Sequence, residues 1–276
     1  MQEVALFLLA PFLMCLILVG IHCYLGLHVL ARGVVFVDLS LAQVACFGAT
    51  LALFMGFEHN STSAYLISLA VTFLAAGFFA LAKRYEKLFS QEALIGIVYA
   101  LSSAAVVLVV DHLAHGAEHI KELLVGQILW VQWHEVIKTM IIYGIVGGIH
   151  FAFRKQLLRA STHTHEASKE QGFFWDFLFY ALFGVVITSS ANLAGILQVF
   201  TYLIVPAIVA GVYFKTIRAK LIFGWCFGTL LSFVGLALSY YWDLPAGALI
   251  VVIFTLVPVL LLLASFLFGK RREAHS

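Results

Sequence analysis

Nine apolar windows, each about 20 residues long, fall at 5–28, 34–56, 63–82, 93–110, 135–153, 173–190, 196–214, 221–240 and 246–268. No water-soluble core of a chain this size calls for so many. Hydrocarbon offers no partner to a backbone N–H or C=O, so each window must satisfy its own hydrogen bonds, and only a helix or a closed barrel does that. The windows lack the period-two alternation of lipid-facing barrel strands. The expected fold class is therefore all-α: a polytopic integral membrane protein with about nine transmembrane helices. Composition agrees, because 11% charged residues is less than half the roughly 25% of soluble domains. The opening Met1-Gln2-Glu3 is acidic and the apolar run continues to Leu27, so the first window reads as a span rather than a signal peptide.

Charge placement orients the spans. With an extracytoplasmic N-terminus and a cytoplasmic C-terminus, Arg32, the Lys83–Lys87 group, the Arg154–Lys169 group, the Lys215–Lys220 group and Lys270–Arg272 share one face. These are fourteen of the 16 basic residues, leaving Lys121 and Lys138 opposite. Lys and Arg accumulate on the cytoplasmic side, which identifies that face. The net charge of +2 gives no reason to expect a nucleic-acid partner; the bilayer is the expected surrounding. Residues 1–276 read as one transmembrane domain with no separate soluble unit.

Two connections are long. The cytoplasmic one, 154–172, carries His163-Thr164-His165-Glu166 and then Lys169-Glu170-Gln171-Gly172, read as a short polar helix that Gly172 stops. The extracytoplasmic one, 111–135, pairs Leu123, Leu124, Ile128 and Leu129 with Trp130 and Trp133, a composition suited to a helix at the membrane interface. The link between the windows at 173–190 and 196–214, through Ser189-Ser190-Ala191-Asn192, is short enough for either a tight turn or a re-entrant segment.

The chain has no GxxxxGK[ST] phosphate loop, HExxH pair or GxSxG elbow, so nothing in it points to nucleotide hydrolysis or proteolysis. Cys15, Cys23, Cys46 and Cys226 lie inside apolar windows without CxxC spacing and read as small buried hydrophobes. Asp38 stands near the start of the second window, where an ionisable group costs about 2.5 kcal/mol or more and usually faces a cavity or a bundle interior; the alternative is an interfacial Asp paired with Arg32. If 111–122 is helical, His112, His115 and His119 fall at i, i+3 and i+7, with Glu118 and Glu122 alongside. Imidazoles and carboxylates on one face suit a transiently bound Zn²⁺ or Mn²⁺, and a merely solvated face fits equally. His163 and His165 read as solvated loop, and His22, His28 and His150 as packing residues or, alternatively, haem ligands.

Five stretches together resemble the permease subunits of zinc and manganese ABC importers: ARGVVFVDLSLAQVACFGATLALFMG, SQEALIGIVYALSSAAVVLVV, KELLVGQILWVQWHEV, LAGILQVFTYLIVPAIVAG and SYYWDLPAGALIVV, in the family's order. The resemblance implies a homodimeric permease in the bacterial cytoplasmic (inner) membrane, with no cofactor of its own. It also implies cytoplasmic ATPase subunits, an extracytoplasmic metal-binding protein, and a metal ion as cargo, zinc expected first and manganese next. It places the metal path at Asp38 and Gln43, within a block that usually reads G-D-A-x-S-H-A. An ungapped alignment through Gly48 puts Leu39 at the family's Asp and Gln43 at its His; Gln127 likewise stands where many members have an acid. Possible extracytoplasmic metal capture falls to His112, His115, Glu118 and His119, and ATPase coupling to the loop with Glu166, Lys169 and Glu170. Two other functions compete. A stand-alone secondary metal transporter would need coupling acids, for which Asp38 and Asp176 are the candidates, and a haem-ligating membrane redox protein would use His22 and His150.

Overall fold

The computed structural model describes residues 2–58, 61–86, 88–113, 116–161 and 169–273. In chain order its helices are α1 (Gln2–Arg32), α2 (Val37–Phe54), α3 (Thr62–Arg84), α4 (Gln91–Val110), α5 (Gly116–Val125), α6 (Trp133–Ala152), α7 (Arg154–Ser161), α8 (Lys169–Ala194), α9 (Ile196–Tyr213), α10 (Ile217–Trp242) and α11 (Ala246–Glu273), with a 3₁₀ turn at Ile128–Trp130. Nine of these, all but α5 and α7, are long and apolar enough to cross a membrane. The sequence-based windows and the spans coincide because hydrocarbon thickness sets both.

The spans begin where side chains replace missing backbone partners. The Ser61 hydroxyl accepts from Ala64 N–H at 3.2 Å and the Thr216 hydroxyl from Ala219 N–H at 3.3 Å, and Glu135 accepts from Gln132 N–H at 2.8 Å. Each cap answers one of the orphan donors of a first helical turn.

Two layers of contact organise the bundle. In one, α2 lies between α3 and α4, and α3 packs on α8; in the other, α1 packs on α9 and α10, with α11 closing against both of those. Lipid is as apolar as Leu, so close approach through small residues has to supply the attraction between helices. Gly26 of α1 faces the Leu203 carbonyl and Ala207 of α9, Gly48 of α2 faces the Ser68 backbone of α3 at 2.6 Å from a built Cβ, and Gly228 of α10 faces Val19 of α1 at 2.6 Å. A methyl at residue 26 would overlap backbone that cannot move aside. Gly26→Ala is expected to destabilise the protein by about 2–4 kcal/mol, read as a lower melting temperature in detergent, whereas Gly20→Ala, with open space around it, should not.

Three local expectations change. Residues 189–192 do not form a link: they are the last turns of α8, and two full-length helices meet at Gly195 alone, whose φ of 79° breaks the helix. Gly172 does not stop a helix either, because it lies in the first turns of α8. Third, α5 begins only at Gly116, where a Cβ would strike the Val110 side chain and carbonyl at 2.5 Å. His112 therefore belongs to the turn that ends α4 and His119 to α5, so these two do not share one helix.

Candidate functional site

Among α2 residues up to Ala52, only Leu39, Gln43, Phe47 and Leu51 are not buried by the protomer itself. Their spacing of four residues makes one stripe along the helix. Phe36 and Phe54, exposed at the two ends, extend it. Gln43 is the sole hydrogen-bonding side chain of the four stripe residues. A neutral amide at mid-span is costly against lipid tails, so this stripe is made for a surface other than lipid.

Asp38 is one residue, about 100°, round the helix from Leu39. It is 1% exposed, and among the described residues neither carboxylate oxygen has a hydrogen-bond partner of good geometry; the N–H groups of its own residue and of Leu39 lie near it. Its place in the first turn of α2 lets the helix N-terminus offset part of its charge. Arg32 does not pair with it; that guanidinium is turned to Asp176. Another acid lies close enough to act on it. Glu92, at the start of α4, acts on it electrostatically and accepts from the Phe36 N–H at 3.2 Å through Oε1, while its buried Oε2 has no partner among the described residues. Sequence reading missed Glu92, although an acid opening an apolar span is visible in the sequence.

At the same end of the bundle two cations meet on one acid, Arg32 and Asp176 buried and Lys83 half-buried. Arg32 Nη1 donates to Asp176 Oδ1 at 2.6 Å and Lys83 Nζ to the same oxygen at 2.9 Å. Arg32 also donates through Nε to the Ser161 hydroxyl at 3.1 Å, and Lys83 to the Ala160 carbonyl at 2.8 Å. The guanidinium lies 3.9 Å from the centre of the Phe179 ring, a favourable cation–π geometry.

The span histidines are packing residues with hydrogen bonds. His22 Nδ1 donates to the Leu18 carbonyl at 2.7 Å and Nε2 meets the Ser190 hydroxyl at 3.2 Å, so neither nitrogen is left for an axial haem bond. His28 meets Ser161 at 3.3 Å, and His150 meets the Tyr24 hydroxyl at 3.4 Å with its Nε2 buried and unpartnered.

The other end carries α5 and the 3₁₀ turn. His112 is exposed and its Nδ1 donates to the Leu108 carbonyl at 3.0 Å; His119 is buried against α2, where the Thr50 hydroxyl, already donating to Cys46, accepts from Nε2 at 3.2 Å. His115 lies outside the described residues. Glu118 is exposed and, with Lys121, Glu122, Gln127 and Asp243, lines an open cleft of about 460 Å³. Gln127 donates to Glu122 at 2.8 Å. Among the described residues no group of three or more His, Cys, Asp or Glu is close enough to hold a metal ion. Of the coupling loop, Glu166 lies outside the described residues, as do His163 and His165, while Lys169 and Glu170 open α8.

Comparison with known proteins places this geometry. The model of the ABC 3 transport family matches residues 6–267. The manganese transport system membrane protein MntC of Listeria monocytogenes is 24% identical over 256 residues, spanning 90% of this chain and 89% of that protein. A probable iron transport system membrane protein of Haemophilus influenzae is 26% identical over 183 residues, spanning 66% of this chain and 63% of that protein. PsaBC from Streptococcus pneumoniae in complex with Fab has the same fold, with a TM-score of 0.73 at 20% identity, covering 90% of this chain and 88% of that one.

Proposed function

The chain belongs to the ABC 3 transport family, and from that premise we propose that it is the permease subunit of an ATP-binding-cassette importer carrying a divalent transition-metal ion into the cytoplasm by alternating access. It is a multi-pass membrane permease, so ATP hydrolysis falls to partner subunits. The carrying observation beyond family membership is the α2 stripe. A span otherwise buried by its own protomer exposes one row of residues with an amide at its centre, which suits a path between two copies of the chain. The end with Arg32, Lys83 and Lys215 is cytoplasmic on charge grounds, and the chain sits in the bacterial inner membrane.

The donor types along α2 support one order of metals over the other. Gln43 offers a hard amide oxygen, and Asp38 and Glu92 offer carboxylates at the cytoplasmic end. Oxygen donors suit manganese and imidazoles suit zinc, so manganese stands ahead of zinc, in line with relatives named for manganese. Asp38 is turned off the stripe by one residue, and a rotation of α2 of about 100° would exchange a neutral lining for a carboxylate. Passage needs weak, open coordination, because a closed set of ligands would retain the ion. On the outer face an extracytoplasmic binding protein delivers the ion over the cleft with Glu118 and Glu122, and His112 and His115 join a shallow capture surface. His119 contributes there through its hold on Thr50.

Of the two acids a secondary transporter could couple through, Asp176 is engaged by two cations, which leaves Asp38 alone, and membership of the ABC 3 transport family favours the ATP-driven reading. Deleting the gene should lower cellular manganese, measured by elemental mass spectrometry in scarce medium; unchanged manganese with lowered zinc would reverse the metal order. Gln43→His is expected to shift competition toward zinc, with the zinc concentration that halves manganese uptake falling about tenfold.

A further inference from the structure

We propose that buried Arg32 and Asp176, with half-buried Lys83, form a clamp that fixes the C-terminal end of α7 to three spans, so that displacement of the cytoplasmic segment beyond Ser161 is passed to α1, α3 and α8. The inference rests on the reading of the chain as an ATP-driven permease.

The geometry is that of a joint. Asp176 on α8 collects both cations on one oxygen, and each cation spends another donor on the end of α7: Arg32 of α1 on the Ser161 hydroxyl, and Lys83 of α3 on the Ala160 carbonyl. The Ser161 hydroxyl in turn donates to Leu157 O at 2.8 Å and meets His28 of α1 at 3.3 Å. Apart from half-buried Ala160, α7 buries only Leu157 and Ser161, spaced by four residues, and exposes the rest of its length. With so narrow a buried face, a large share of the hold on this short helix falls to the clamp.

Burial makes the joint stiff. Arg32 and Asp176 are 4% and 6% exposed, and removing one member of such a set strands a charge away from water. The guanidinium is pinned between the carboxylate, the hydroxyl and the Phe179 ring. A lysine there would keep the charge and lose the fork that reaches Asp176 and Ser161 together. The chain leaves α7 directly from Ser161 into the loop expected to meet the ATPase. That segment joins Ser161 of α7 to Lys169 of α8, so both of its described ends belong to helices that the clamp ties together.

The test uses the permease purified with its co-expressed ATPase subunits and reconstituted in vesicles. Two quantities are read: hydrogen exchange across 154–161, and ATP hydrolysed per manganese ion moved. Asp176→Asn and Arg32→Lys should raise exchange in 154–161 about tenfold, and Ser161→Ala about threefold, with α9 and α10 unchanged. ATP consumed per ion should rise at least about twofold in the same order, while Thr255→Ala on α11 changes neither. Ser161→Ala leaves all three charges in place and carries the test if a charge variant fails to assemble. Unchanged exchange overturns the clamp, and raised exchange with an unchanged ATP-to-ion ratio overturns its part in transmission. If the parent complex moves neither manganese nor zinc, the transport reading has failed, and the exchange measurement still decides the clamp.

Discussion

Asp38→Asn is expected to abolish metal-dependent growth at every external metal concentration while leaving the protein at least as stable as the parent. The two halves of that result come from one observation. Asp38 is a buried carboxylate with no partner of good geometry among the described residues and with a second acid, Glu92, nearby. Such a group opposes folding, and an isosteric amide should return up to about 2 kcal/mol, less the share the α2 N-terminus already offsets. A costly unpaired acid inside a membrane span marks a functional position. Growth curves over a range of manganese concentrations and melting curves in detergent measure the two effects. Normal growth of the variant would remove Asp38 from the metal path; lost growth with a much lower melting temperature would make its role structural.

Gly195→Ala should yield almost no folded protein. Gly195 alone joins α8 to α9 with φ at 79°, and a Cβ there would lie 2.5 Å from both the Gly126 nitrogen and the Val125 carbonyl carbon. Gly126 has φ of 68° and presses back on the Ala194–Gly195 backbone, and Gln127 N–H donates to the Leu193 carbonyl at 3.0 Å. Two glycines thus seat the 3₁₀ turn and α5 on the α8–α9 junction. Left-handed strain and a clash with backbone add, for an expected loss of about 4 kcal/mol or more. Expression with a fluorescent fusion and size-exclusion chromatography reads this directly; a monodisperse parent-like peak would contradict it. Gly144→Ala, which meets nothing, should behave as the parent.

The spans were legible because hydrocarbon thickness imposes a length and an apolar composition that survive in a single sequence. Local geometry was less so. The α8–α9 junction was expected at Ser189–Asn192, where polar residues cluster, but those hydroxyls bond to carbonyls in the preceding turn, as Ser190 does with Val186 at 2.8 Å, and stay helical. The histidine face depended on one helix running through 112–119, whereas among the described residues α4 ends at Val110 and α5 begins at Gly116. The pairing of Arg32 with Asp176, 144 residues apart, has no local signature at all: Asp38 is near in sequence and was the natural candidate. At the site, the four-residue spacing of Leu39, Gln43 and Phe47 was present in the sequence, but an α2 apolar almost all round gave no sign of which row its neighbours leave uncovered.

The central claim is ATP-driven import of a divalent metal through this permease. Its most direct test is uptake of radioactive manganese into vesicles that hold the permease with its ATPase subunits, with ATP supplied on the ATPase side and the metal-loaded binding protein on the other. The account predicts accumulation that requires both ATP and the binding protein, and that zinc inhibits less strongly in the parent than in Gln43→His. Accumulation independent of ATP, driven by an imposed ion gradient, would contradict it.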